Sequence, residues 1–194
     1  MRDIWKLAWR LLAITLVAAL ALGVTNYVTK DPIAQQDREK NDKARQAVFE
    51  ACDRFEPVDV DEAMGGAQIE TLKPLEIYAA YQGDEQMGYT FKIAPKGYGG
   101  EIELTVGISF EGKVTGLTVG TNSETPGLGA NATKEEFRNL FVDKDQFPLE
   151  VSKSASGDNE IQALTGATIT SRAVATGVND AMSFYQQFLS KEGK

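Results

Sequence analysis

The sequence predicts an α+β fold, an antiparallel sheet with packed helices, preceded by one N-terminal transmembrane helix. Three observations carry this prediction. Leu11 to Val28 is an uncharged apolar stretch, the middle of the chain alternates apolar and polar residues between turn signals, and the C-terminal region carries an apolar stripe at helical spacing. The chain has 194 residues. With roughly thirty in the hydrophobic N-terminus, about 150 remain for one compact domain, enough to bury a substantial core.

The apolar stretch is about eighteen residues long, near the lower limit for a span, and Trp5 and Trp9 extend it with interfacial aromatics. Arg2, Lys6 and Arg10 precede it, whereas Asp31 follows closely and Lys30 is the one basic residue near the far end. That charge bias places the N-terminus in the cytoplasm and the domain on the opposite face of the cell membrane. Ala19-Leu20-Ala21 offers a small-residue cleavage pattern, but the apolar run continues past it and Tyr27 supplies a second aromatic edge. The segment is therefore read as a retained single-pass anchor. Its apolar centre holds no ionisable residue, so an ion path is not expected in it.

Pro32 to Asp53 is polar but helix-prone, with Ala44, Ala47, Val48 and Ala51 on one face. Gly65-Gly66 marks a break. Strand patterns follow at Leu75 to Tyr81 and Met87 to Ala94, with a turn at Gly83-Asp84. Ile102, Leu104, Val106 and Ile108 then alternate with polar or small residues. Glu111-Gly112-Lys113 turns the chain into Val114 to Thr121, a hairpin. Thr133-Lys134-Glu135-Glu136 has the form of a capping box opening a short helix through Phe141, and Leu149 to Ser152 reads as another short strand. The last helix is expected from Ser171 to Leu189, with Val174, Gly177, Val178, Ala181, Phe184, Tyr185, Phe188 and Leu189 as its core stripe. The expected organisation is an anchor over residues 1–30, a membrane-proximal helix over 31–55 and an extracytoplasmic domain over 56–194.

Composition removes several function classes. The formal net charge of −8 with no basic stripe argues against nucleic acid as a partner. The chain has no histidine, and Cys52 is its one cysteine. Most zinc, copper, haem and iron–sulfur sites, histidine-based triads and an internal disulfide are excluded on that ground. Cys52 is read as a packing residue, and any redox chemistry must come from an organic cofactor.

Two loops carry the candidate chemistry. In Thr121-Asn122-Ser123-Glu124-Thr125-Pro126-Gly127-Leu128-Gly129-Ala130, two glycines and a proline bend the backbone sharply enough to approach a planar ligand. Glu124 and Thr125 offer hydrogen-bonding groups there, and Leu128 an apolar contact. In Thr165-Gly166-Ala167-Thr168-Ile169-Thr170-Ser171, Gly166 and Ala167 minimise bulk beside Thr168, so a phosphate could reach its hydroxyl. Thr170 and Ser171 are expected to supply N-cap hydroxyls, and the free N–H groups of a helix start favour a phosphate. Taken alone, the string reads more readily as a plain Thr/Ser helix cap.

Lys96-Gly97-Tyr98-Gly99-Gly100 leading into the strand Glu101 to Ile108, then Glu-Thr-Pro-Gly-Leu-Gly, then Thr-Gly-Ala-Thr-Ile-Thr resembles, in order and spacing, the FMN-binding domain of the Rnf and Nqr ion-pumping complexes. The resemblance covers roughly residues 93–188 plus the single N-terminal anchor, and the overall length is similar to the G-subunit family of Rnf. It implies that a dedicated flavin transferase, using FAD and magnesium, links FMN through a phosphoester to Thr168. It also implies that Glu124, Thr125, Leu128 and Gly129 line the flavin, that Thr165, Gly166, Ala167 and Thr170 lie near its phosphate, and that Tyr98 belongs to the cofactor-binding set. The family pattern usually has an aspartate three residues before the first Thr/Ser; here that residue is Gln162.

The same resemblance implies an electron-carrier subunit with no catalytic residue of its own, working with other membrane and redox subunits between ferredoxin and NAD⁺ as Na⁺ or H⁺ is moved. Three other readings stay open from sequence alone. They are the C-subunit family of Na⁺-pumping NADH:quinone reductases, a regulatory FMN-binding domain of another membrane protein, and a membrane-tethered module without a flavin.

Overall fold

A computed structural model describes residues 2–190; the side chains of Arg2 and Asp3, and residues 191–194 at the end of the region expected over 56–194, lie outside the description. The chain forms two units, residues 1–42 and 43–194.

The first unit is helical, within α1 (Arg2–Val48), which includes Pro32. The helix holds an 18-residue window of mean hydropathy 2.1, long and apolar enough to cross a membrane. Its large apolar side chains from Ile4 to Val28 are exposed, so packing among the described residues does not account for their hydrophobicity. The hydroxyls of Thr15, Thr25 and Thr29 donate to the carbonyls of Leu11, Ala21 and Thr25, four residues back. These polar side chains are thereby satisfied within the helix, as a hydrocarbon environment requires.

The second unit is built on an antiparallel meander of β1 (Arg54–Val58), β2 (Glu76–Gln82), β3 (Glu85–Ile93), β4 (Leu104–Ser109) and β5 (Val114–Val119), in that spatial order. Turns at Gly83 and Gly112, both at positive φ, close two of its hairpins. Strands β2 to β5 match the sequence patterns to within a few residues. β1 has no counterpart among those patterns, because Pro57 interrupts it; it is an edge strand, where a missing N–H costs no ladder bond.

α2 (Val60–Met64) lies between β1 and β2. The Asp59 carboxylate caps it by accepting the N–H groups of Asp61 and Glu62 at 2.8 and 3.0 Å, and left-handed Gly65 ends it. After β5 come a 3₁₀ turn (Gly129–Thr133) and α3 (Glu135–Arg138). β6 (Glu150–Ser152) and β7 (Glu160–Gln162) form a small parallel pair, followed by α4 (Thr168–Phe184) and a π-turn (Tyr185–Leu189).

α4 lies across one face of the sheet. Ile77, Phe91, Leu104, Val106 and Ile108 from the strands share one core with Val174, Val178, Ala181 and Phe184 from the helix, each nearly inaccessible. The expected stripe therefore faces the sheet. Gly177 sets the approach: a Cβ there would lie 2.7 Å from Leu104 Cδ1 and 2.9 Å from Pro95 Cγ. The Asn179 amide ties α4 to the start of β6, accepting from Leu149 N–H (2.7 Å) and donating to Leu149 C=O (3.0 Å).

Residues 45–52 cover the opposite face. The helix expected over Pro32 to Asp53 stops at Val48, and Cys52 follows it in a turn, buried with Val48, Phe49 and Ala80. The paired glycines Gly107 and Gly116 make a notch for this segment, since a Cβ on Gly116 would lie 2.7 Å from Val48 Cα. Thr115 Oγ1 donates to Val48 C=O at 2.6 Å, and Arg45 stacks over the Tyr78 ring at 3.9 Å.

Two helix starts differ from expectation. α3 starts at Glu135 behind Lys134 as N-cap, with no side-chain cap hydrogen bond, so the capping box does not form; the Thr133 hydroxyl lies in the 3₁₀ turn and donates to Ala130 C=O. α4 begins at Thr168 rather than Ser171, with Ala167 at its N-cap. Thr170 and Ser171 are thus inside the helix, and their hydroxyls serve other partners.

Candidate functional site

Three segments meet beside the start of α4. The first, 96–101, is a tight loop closed by the Lys96–Glu101 bridge and by Gly97 N–H donating to Gly100 C=O at 2.7 Å. It holds Tyr98 out into solvent, 71% exposed. The second, 121–130, is folded on itself. Asn122 Oδ1 accepts Glu124 N–H at 3.2 Å, the Thr125 carbonyl accepts the N–H groups of Leu128 and Ala130 at 3.1 and 3.2 Å, and Gly127 takes the left-handed turn conformation that the bend needs.

The third segment is 164–171. Gly166 has φ +75°, and Ala167 N–H donates to Leu164 C=O at 3.0 Å, making a tight turn into the helix. Ser171 locks this turn from below: its Oγ accepts Leu164 N–H at 2.9 Å and donates to Ala167 C=O at 3.0 Å.

Glu124 joins all three. It is 7% exposed. Oε1 accepts Gly99 N–H at 2.9 Å and Oε2 accepts the Thr170 hydroxyl at 2.5 Å. Gly97 and Gly129 make room for the carboxylate, since a Cβ on either would lie 2.4 or 2.3 Å from one of its oxygens.

Between these segments lies a cavity of about 610 Å³ lined by Tyr98, Glu124, Thr125, Leu128, Gly129, Gly166, Ala167, Thr168, Ile169 and Thr170. Its size falls within the range of small-molecule sites, roughly 300–1,000 Å³. Nine of the ten residues singled out from sequence are among these. Thr165 lies in a neighbouring cleft with Gly127, Leu128, Asn131 and Lys134. Ile169, 56% exposed, is the lining residue that the sequence reading misses. Its signal is nonetheless there: an isoleucine on the first, exposed turn of a helix whose apolar stripe lies elsewhere.

The hydroxyls of the string are not equivalent. Those of Thr170 and Ser171 are committed to Glu124 and to the turn, and Thr165 faces the neighbouring cleft. Thr168 lines the cavity, and its hydroxyl makes no hydrogen bond among the described residues. Ser171 N–H is the first α4 donor to reach a backbone carbonyl, that of Ala167. The preceding N–H groups of the first turn are those a helix leaves to an outside acceptor, and with the macrodipole they suit an anion. Apolar Tyr98, Leu128 and Ile169 at the mouth, with a free hydroxyl and helix-start donors along one wall, fit a planar ring carrying a phosphate.

The sequence of residues 97–183 matches the family described as the FMN-binding domain, and residues 1–48 match the RnfG N-terminal region. The chain is 40% identical over 198 residues to the G subunit of the Na⁺-translocating ferredoxin:NAD⁺ oxidoreductase complex of Acetobacterium woodii, covering 97% of this chain and 94% of that one. It is 38% identical over 167 residues to the G subunit of the proton-translocating ferredoxin:NAD⁺ oxidoreductase complex of Clostridium ljungdahlii, covering 86% and 83%. The fold is shared with a crystal structure of the C subunit of the Na⁺-translocating NADH-quinone reductase from Parabacteroides distasonis (TM-score 0.58, 22% identity, 80% of this chain and 94% of that one). It is also shared with the Shewanella oneidensis NqrC structure (TM-score 0.52, 18% identity, 74% and 72%). Identity across nearly the whole length, joined to the apolar N-terminal helix and the FMN-binding region, establishes that this chain belongs to the G-subunit family of ion-translocating ferredoxin:NAD⁺ oxidoreductase complexes.

Proposed function

We propose that this chain carries FMN as a phosphoester on Thr168 and serves as a one-cofactor electron carrier in a membrane complex that couples ferredoxin:NAD⁺ electron transfer to Na⁺ or H⁺ movement. The observation that carries this reading is the uncommitted Thr168 hydroxyl, which lines the cavity while its Thr170 and Ser171 neighbours are tied down. Maturation by a flavin transferase joins Thr168 Oγ to the FMN-side phosphorus of FAD, breaks the pyrophosphate bond, and releases AMP with the hydroxyl proton. Bound FMN supplies one- and two-electron transfer.

The chain's own residues place the cofactor and keep it. The first-turn N–H groups of α4 bind the ester phosphate. Tyr98, Leu128 and Ile169 flank the ring, and Thr125, Gly129, Gly166 and Ala167 complete the wall. An ester at the phosphate end leaves the ring free for electron exchange and prevents the loss of cofactor from a domain facing away from the cytoplasm. That orientation follows from Arg2, Lys6 and Arg10 ahead of the apolar segment. The two relatives' names differ in the ion moved, so Na⁺ and H⁺ stand as alternatives.

The test is mass spectrometry of the chain co-expressed with a flavin transferase. The expected result is an added FMN-phosphoryl mass on the peptide containing Thr168, absent from Thr168→Val. Colourless, unmodified protein isolated from the intact complex would refute the proposal.

A further inference from the structure

Among the described residues, Glu124 is the one acidic side chain on the cavity wall. Both oxygens of its carboxylate accept a hydrogen bond from a neutral donor, Gly99 N–H and Thr170 O–H. Among the described residues no lysine or arginine forms an ion pair with it, in contrast to Glu76 on the sheet, which meets both Arg45 and Lys92. Gly97 and Gly129 let backbone come close on either side of it, since a Cβ on either would lie within 2.4 Å of one of its oxygens. A buried carboxylate with neutral partners keeps its charge unscreened, because no counter-ion lies beside it to weaken the field.

We propose that Glu124 is a positioning residue with a second role: its fixed negative charge sets the reduction potential of the flavin held in this cavity. The inference rests on the flavin reading above. Negative charge added to a ring bound here would lie near a carboxylate held by two hydrogen bonds, so the oxidised form is favoured and the potential lowered. Its hydrogen bonds hold the charge at a constant distance by fixing three loops at once. The carboxylate is committed to the protein, so what it offers the cavity is its field.

The experiment is a spectroelectrochemical titration of the full chain in detergent, loaded by co-expression with a flavin transferase. Glu124→Gln keeps the shape and one acceptor but removes the charge. The expected result is a shift to more positive potential that raises the reduced-to-oxidised ratio at fixed ambient potential by about tenfold, which is about 59 mV for a one-electron couple. Glu124→Asp, which retains the charge, is expected to stay near the wild-type curve. Coincident curves for wild type and Glu124→Gln, or an equal shift for Glu124→Asp, would overturn the inference while leaving the flavin reading intact. Wild-type chain that takes up no flavin would overturn both. Should Glu124→Gln fail to load, Thr170→Val serves in its place. Titrated at alkaline pH, where the carboxylate stays charged, it has one donor fewer to offset that charge, so the potential moves in the negative direction; an unchanged potential overturns the proposal.

Discussion

Replacing Gly129 with alanine tests whether the three loops are held together through Glu124. A Cβ at this position would lie 2.3 Å from Glu124 Oε2 and 2.6 Å from Thr170 Oγ1, about an ångström short of the 3.4 Å at which ordinary contact begins. The carboxylate cannot yield by that amount and still accept a hydrogen bond from Thr170 at 2.5 Å and from Gly99 at 2.9 Å. A hydrogen bond to a charged group contributes about 1.5–3 kcal/mol. For a domain of this size each kcal/mol lowers the melting temperature by about 2–4 °C, so the expected loss is roughly 3–12 °C. Gly127→Ala is the control. It lies two residues away in the same loop, at φ +78°, with nothing within 4 Å of its Cβ, so it suffers only backbone strain. That strain costs roughly 1–2 kcal/mol. Both variants are melted in detergent and followed by circular dichroism in a wavelength region dominated by the sheet. A Gly129→Ala protein that melts at the wild-type temperature would refute the claim that Glu124 couples the loops, and the Gly127→Ala value shows how much of any loss backbone strain alone produces in this loop.

Two further outcomes follow from the rest of the domain. Gly116→Ala pushes a Cβ to 2.7 Å from Val48 Cα and is expected to destabilise the domain by about 1–3 kcal/mol through overpacking, measured as a lower urea midpoint; an unchanged midpoint would mean that residues 45–52 do not pack into the notch. The Glu160 carboxylate accepts the N–H groups of Ser156 and Gly157 at 2.7 and 3.2 Å, which hold its pKa below the ordinary carboxylate value. A lowered folded-state pKa makes this contribution full above the unfolded value of about 4.3, and it is lost as pH falls through the folded value. The stability gap between wild type and Glu160→Gln should therefore be widest at neutral pH and close in that acid window, whereas a gap independent of pH would contradict it.

Much of this molecule can be read from sequence because its signals are local. The apolar segment, the alternation of Ile102, Leu104, Val106 and Ile108, and the stripe from Val174 to Leu189 each follow from a periodicity that burial enforces. The gathering of Tyr98, the Glu124–Gly129 loop and Thr168 around one cavity is legible through family resemblance. No local rule joins segments so far apart in the chain. What escapes is decided by tertiary partners. Thr170 and Ser171 look like caps, yet a buried carboxylate and a turn carbonyl claim their hydroxyls, and the helix starts earlier. Thr133 fails to cap because it ends a 3₁₀ turn and the helix starts one residue further on, behind Lys134. β1 carries a proline that only an edge position tolerates, and β7 is too short to show a period. Glu124 reads in the sequence as a hydrogen-bonding group for a ligand, but its partner choice depends on two glycines that no spacing rule connects to it.

The glycine notch on the outer face of the sheet also decides where the chain can be cut. Val48, Phe49 and Cys52 bury themselves there as part of the second unit, which begins at Lys43. A soluble form that starts at the first strand would strip this cover from Ala80, Gly107 and Gly116 and leave an apolar groove open to water and to other copies of itself. Cutting ahead of Lys43 removes the membrane-seeking stretch and keeps the lid. Residues 43–52 thus decide whether a soluble form of the domain keeps that face covered or leaves it sticky.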